Sequence, residues 1–166
     1  VLGIASGVLL SVLGIAGARK ILIWMRTPEE VLDLATLYLV IYFLGMTAVM
    51  VYNFGSAILR AVGDTRRPLC FLVVAGIINV VLNLFFVINL RLGVAGVAIA
   101  TVISQCVSAL LVVRCLLREG GGIRLVPSRM RIDREKLIQI LKIGLPAGVQ
   151  GILFSLSNVV IQSSIN

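Results

Sequence analysis

Residues 68–90 read PLCFLVVAGIINVVLNLFFVINL, 23 in a row without Asp, Glu, Lys or Arg. At 1.5 Å per residue, a helix of this length covers about 34 Å, enough to cross roughly 30 Å of hydrocarbon. Lipid offers no water to backbone N–H and C=O groups, so such a run closes its hydrogen bonds internally, as a helix. Strands of an outer-membrane barrel would be about ten residues long and alternate in polarity; this run does not alternate. Outward from it, residues 1–18, 34–59, 92–113 and 143–166 are also free of charge. Together the five runs make up about two thirds of the 166 residues. The first is slightly short of a full span. It has no basic segment ahead of its apolar stretch, so it does not read as a secretory leader. Its Gly3-x-x-x-Gly7 spacing suits close helix packing.

The whole chain is 60% hydrophobic and 13% charged, against about 25% charged for a soluble domain. The fold class is therefore all-α integral membrane, a polytopic bundle with five transmembrane helices. There is no His, and Cys70, Cys106 and Cys115 sit at no ligand spacing, which excludes zinc modules and His-based catalysis. No nucleophile–base set or metal cluster stands out, so an enzyme is not expected, and neither is a bound cofactor. Residue 1 is Val, and the last run ends at Asn166 with no flanking charge. The expectation is an internal piece of a larger membrane protein.

The net charge of +8 raises nucleic acid as a partner, but its distribution answers otherwise. Eleven of the 15 basic residues fall in two connections, 60–67 and 114–142. Strict alternation of five helices puts both on one face, and basic connections mark the cytoplasmic side. The charge therefore orients the spans and meets anionic lipid; nucleic acid is not expected. The expected location is the plasma membrane, multi-pass, with connections 60–67 and 114–142 cytoplasmic.

The connections carry their own signals. Residues 90–93 form a tight outer hairpin, so the flanking helices pack antiparallel. Gly63-Asp64-Thr65 is a turn with a left-handed position at Gly63, and Pro68 starts the next helix. Thr27-Pro28-Glu29-Glu30 reads as an N-cap, a first-turn proline and acids on the positive end of the helix dipole. Trp24 and Tyr38 fall near an outer aromatic belt. Residues 133–142 read as a short amphipathic surface helix, and Pro146 suggests a bend at the start of the last run. The expected organisation is a first bundle over 1–117 (helices about 1–18, 34–59, 68–90 and 92–117), an inner linker over 118–139, and the first helix of a second bundle over 140–166.

None of the five runs holds an ionisable side chain, apart from the weakly acidic Tyr and Cys. Neutral polar groups remain, and within lipid these face a bundle interior or a watery cavity. Asn79 and Asn83 are four apart and share a helix face, as do Asn158 and Gln162. Asn53, Thr101, Gln105 and Gln150 complete the set. Amide and hydroxyl oxygens are ligands for hard cations; the competing reading is hydrogen bonding between helices.

At these residues the sequence resembles a family. The stretch 52–68, YNFGSAILRAVGDTRRP, is similar to the end of the fourth helix, and the following loop, of the multidrug and toxic compound extrusion (MATE) transporters. Asn79-Val80-Val81-Leu82-Asn83 and GVAGVAIAT at 93–101 resemble their fifth and sixth helices. IGLPAGVQ at 143–150 resembles the start of the seventh. The resemblance implies helices three to seven of a twelve-helix, two-lobe transporter that works as a monomer. It implies a cation-coupled (Na⁺ or H⁺) antiporter exporting small organic cations and drugs by alternating access. It also implies a cation site in the first lobe, for which Asn79, Asn83 and Thr101 are the candidates here, completed by an acidic residue on the first helix. Asn83 stands where some members have Asp, which leans toward Na⁺. Some members have a Glu on the seventh helix and this run has none, which argues against a second-lobe site of that type. Gln150, Asn158, Gln162 and Asn53 are assigned to the substrate cavity. Two alternatives remain. A lipid-linked saccharide flippase of related fold would be expected to have basic residues in its cavity, and the runs have none. A non-transporting membrane subunit would better suit a complete short protein.

Overall fold

The structure is a computed structural model that describes residues 1–25, 27–120, 122–126 and 132–165, with the side chains of the last helix described at 134–155, 157 and 158. Every regular element among the described residues is helical. They are α1 (Leu2–Trp24), α2 (Glu29–Leu44), α3 (Met46–Ala61), α4 (Arg66–Leu84), a single π-turn (Phe85–Asn89) continuing α4, α5 (Gly93–Arg118) and α6 (Arg134–Ile165). Among the described residues four helices are individually long and apolar enough to cross a membrane, and up to five spans result when α2 and α3, which pass the same test together, are counted as one bent span. The chain divides into two units, Val1–Ser128 and Arg129–Asn166.

The run 34–59, expected as one helix, is two helices bent by 45° at Gly45. A Cβ on Gly45 would lie 2.9 Å from Val102 Cγ2 of α5. Glycine thus permits both the bend and the close approach of α5 to it. The span starts earlier than its charge-free run, with Pro28 rather than Thr27 at the N-cap position and Glu29 and Glu30 in the first turn. Likewise α1 runs on through Arg19 and Lys20 to Trp24, because long basic side chains reach water from a helix end.

Packing in the first unit puts small residues inside and large aliphatics outside. Gly3, Gly7, Gly14 and Ala18 line the buried stripe of α1. A Cβ on Gly7 would come within 2.6 Å of the Thr47 Cα on α3, and one on Gly14 would strike the Phe43 ring of α2. Ser56, Ser104 and Ser108 are buried, whereas Leu9, Leu13, Ile77 and Val80 are exposed. That is the logic of lipid, where van der Waals closeness holds helices together and an apolar exterior costs nothing. Gly96 of α5 lets the π-turn come close, since a Cβ on it would lie 3.0 Å from the Phe86 Cβ. Gly93 serves the turn instead, with φ +54.

The outer connection between the π-turn and α5 is only residues 90–92, with Arg91 at φ +50, so α4 and α5 run antiparallel as expected. At the other end, Gly63 takes φ +86. Asp64 Oδ1 accepts from the Arg67 backbone N–H at 3.1 Å, capping α4. Pro68 falls in the first turn of α4, which begins two residues earlier than expected. Past α5 the chain folds back: the Leu125 N–H donates to the Leu116 carbonyl at 2.9 Å, and Ile123 and Leu125 pack against Leu59, Val112 and Leu116.

In the second unit, the stretch 133–142 is not a separate helix but the opening of α6. Asp133 Oδ1 accepts from the N–H groups of Glu135 and Lys136, at 2.9 and 3.3 Å. This is the capping that starts a helix firmly. α6 runs for 32 residues in all, with Pro146 inside it.

Candidate functional site

The helical repeat places Ala75, Asn79 and Asn83 on one stripe of α4, and Val97, Thr101, Ser104 and Ser108 on one stripe of α5. The two stripes meet. Asn83 Nδ2 donates to Asn79 Oδ1 at 3.0 Å. Asn79 Nδ2 in turn lies 3.4 Å from both Thr101 Oγ1 and Ser104 Oγ. Each hydroxyl donates onward within α5, Thr101 to the Val97 carbonyl at 2.9 Å and Ser104 to the Thr101 carbonyl at 2.8 Å. The result is a directed chain of neutral hydrogen bonds across two apolar helices.

One atom stands outside that chain. Asn83 Oδ1 is buried and accepts nothing among the described residues. A buried carbonyl without a partner costs about 1–3 kcal/mol, so this oxygen is poised for a donor or a cation. The π-turn begins two residues later, and such turns recur at functional sites. Beside Asn79 opens a cleft of about 260 Å³, bounded by Leu72, Ala75 and Gly76 of α4 and by Thr101, Ser104 and Gln105 of α5. Gly76 makes room for it, with nothing within 4 Å of where its Cβ would stand.

The structure therefore brings together Asn79, Asn83 and Thr101. It does not bring Asn53 to them; that residue is exposed on α3. Gln150 and Asn158 are exposed on α6 in the other unit, and the Gln162 side chain lies outside the described residues. Ser104 is a member that the sequence reading missed. Its three-residue step from Thr101 was the available signal.

These four side chains offer amide and hydroxyl oxygens and no ionisable group. They suit a hard monovalent cation, and they provide no carboxylate to carry a proton.

A family model for MatE matches residues 1–85, just over half of the chain. The chain belongs to the MatE family. MatE relatives extend the likeness well past the matched segment. The probable multidrug resistance protein YpnP of Bacillus subtilis is 37% identical over 144 residues, covering 86% of this chain. The probable multidrug resistance protein YoeA of the same organism is 32% identical over 167 residues, covering 96% of it. Among solved structures, an inward-facing multidrug resistance MATE family transporter of the MOP superfamily matches with a TM-score of 0.79 at 28% identity, over 87% of this chain. The chain spans 32% of YpnP, 36% of YoeA and 33% of the solved transporter. As a MatE chain with several apolar spans, this is a multi-pass membrane protein.

Proposed function

We propose that this chain forms part of a twelve-helix, two-lobe antiporter of the plasma membrane. In this reading it exports small organic cations and drugs by alternating access, driven by a cation gradient, and Na⁺ is the coupling ion. Asn79, Asn83 and Thr101 contribute to the cation site, and Ser104 joins them. The inner linker over 118–139 joins the lobes, and α6 opens the second, where Gln150, Asn158 and Gln162 face the substrate cavity, with Asn53 of α3 lining it from the first.

The observation that carries this reading is the polar chain between α4 and α5. The Asn79 amide N–H groups point at two hydroxyls whose own protons are committed to backbone carbonyls. Turning that amide over would put its oxygen against two oxygen lone pairs, which is repulsive unless a cation lies between them. The Asn79 NH₂ thus acts as an internal stand-in for the cation. Binding replaces it and recruits Asn83 Oδ1. A neutral ligand set of this kind responds to Na⁺ without needing to lose a proton.

The names of relatives supply the substrate class, since both Bacillus relatives are named probable multidrug resistance proteins. The test is efflux of a cationic dye from vesicles holding the full-length protein. An inward Na⁺ gradient is expected to drive efflux and a pH gradient alone is not. Efflux insensitive to Na⁺ overturns the coupling claim; no efflux under either gradient overturns the antiporter reading.

A further inference from the structure

The α4–α5 pair is closed covalently at one end only. Residues 90–92 join the helices at the outer end, whereas Arg67 and Glu119 at the inner end are 52 residues apart in sequence. Within the first unit α4 packs chiefly against α5 and only slightly against α3, so its position depends on how the α4–α5 pair is held. Its inner end is engaged. Arg67 Nη1 donates to Glu119 Oε2 at 2.6 Å, just past the C-terminus of α5, and reaches Cys115 Sγ at 3.5 Å. Arg67 Nε lies 3.0 Å from Asp64 Oδ2, as an ion pair without hydrogen-bond alignment. Asp64 Oδ1 meanwhile caps the Arg67 backbone, which fixes where the guanidinium starts from.

We propose that the Arg67–Glu119 ion pair is the non-covalent closure of the α4–α5 hairpin, and that Arg67 and Glu119 are positioning residues for the Asn79–Thr101–Ser104 site. The functional half of this rests on the reading above.

Leverage makes the argument. Counted from the outer turn, Asn79 is about 16 Å along α4 and Arg67 about 34 Å. Opening the inner ends by about 2 Å therefore parts Asn79 from α5 by about 1 Å. The bonds from Asn79 to the two hydroxyls already measure 3.4 Å, near the limit for a hydrogen bond. A further ångström ends them, and misplacement of that size is costly at a binding site.

An isolated exposed ion pair is weak, and the Arg67 side chain is 51% exposed. This pair is not isolated. The planar guanidinium faces two carboxylates at once, a use for which lysine is a poor substitute. The Tyr52 hydroxyl adds a bond to the Pro68 carbonyl at 2.9 Å, holding the same turn of α4 from α3.

The test is a double-mutant cycle in the full-length protein, in phosphatidylethanolamine–phosphatidylglycerol vesicles. Arg67→Ala and Glu119→Ala are each expected to raise the Na⁺ concentration for half-maximal dye efflux by about three- to tenfold, and the double variant no further. Arg67→Lys should recover only part of the loss. In a background with the full-length protein's native cysteines replaced by serine (at position 115 this keeps an acceptor beside Arg67), spin labels at positions 69 and 117 should move apart by about 2 Å in either single variant relative to that background. If Arg67→Ala does not fold, Glu119→Gln carries the same distance measurement. Unchanged label distances overturn the proposal, as do losses that simply add. If efflux proves independent of Na⁺, the sodium-coupling reading fails, while the label distances still judge the clasp.

Discussion

Asn83 donates a hydrogen bond from Nδ2 to Asn79 Oδ1 one helical turn away, at 3.0 Å, while its own carbonyl oxygen is buried and accepts nothing among the described residues. The two amides are thus unequal partners. Asn79 is the hub, bonded to α5 through both Thr101 and Ser104. Asn83 orients the hub and offers a spare oxygen. Asn79→Ala is expected to raise the half-saturating Na⁺ concentration for efflux by at least about tenfold, and Asn83→Ala by a similar factor, in keeping with the usual cost of disturbing an ion's ligands and their supports. Ser108→Ala is the control, since that hydroxyl bonds only within its own helix, to the Gln105 carbonyl. Sodium titrations of dye efflux read all three; equal behaviour of the three would return the asparagines to a structural role.

Glycines that look alike in sequence divide sharply here. Gly7 sits against the backbone of α3, with 2.6 Å between its would-be Cβ and the Thr47 Cα, whereas Gly76 borders open space. Gly7→Ala is expected to destabilise the first unit by about 1–3 kcal/mol, the usual penalty for overpacking. Gly76→Ala is expected to leave stability unchanged within about 0.5 kcal/mol. Thermal unfolding in detergent separates the two; comparable losses would show that the α1–α3 approach is looser than the structure has it.

Much of this was legible in the sequence. Charge-free runs located every span because lipid imposes one solution on an uncharged backbone. Asn79 and Asn83 could be paired because a four-residue step puts them on one helix face, whereas Thr101 was joined to them by the family resemblance and not by spacing. Other features were not legible. The break at Gly45 depends on Val102, far away in sequence, and no local pattern marks it. The opening of α6 looked like a surface helix because its charges end the apolar run, yet charges do not end a helix. Arg67 and Glu119 read as unrelated loop charges, since an ion pair across 52 residues leaves no trace in spacing.

Tyr52 ties α3 to the first turn of α4 through a single bond from its hydroxyl to the Pro68 carbonyl. Because Pro68 lacks an N–H, this carbonyl bond is a way of gripping its peptide that the ring does not obstruct. Tyr52→Phe removes the donor and keeps the ring. The expected cost is about 0.5–1.5 kcal/mol, read by thermal unfolding. The same substitution beside Arg67→Ala should cost more than the sum of the two, because each contact then compensates for loss of the other at the inner end of α4.

The orientation of the spans follows from where the basic residues cluster, and it can be checked without any transport assay. The connection holding Gly63 to Thr65 and the fold-back holding Arg124 belong to the same end of the first unit, since Arg67 reaches Glu119 there. The turn with Arg91 lies at the other end of the α4–α5 pair. Basic connections stay on the cytoplasmic side, so Thr65 and Arg124 should face the cytoplasm and Arg91 the exterior. Single cysteines at these three positions, in a background lacking the native ones, test this with a membrane-impermeant thiol reagent on intact cells. Labelling is expected at position 91 alone, with positions 65 and 124 reacting only after the membrane is opened. The reverse pattern would invert the topology. Labelling at both 65 and 91 in intact cells would break the antiparallel span between them, and with it the geometry that sets Asn79 against Thr101.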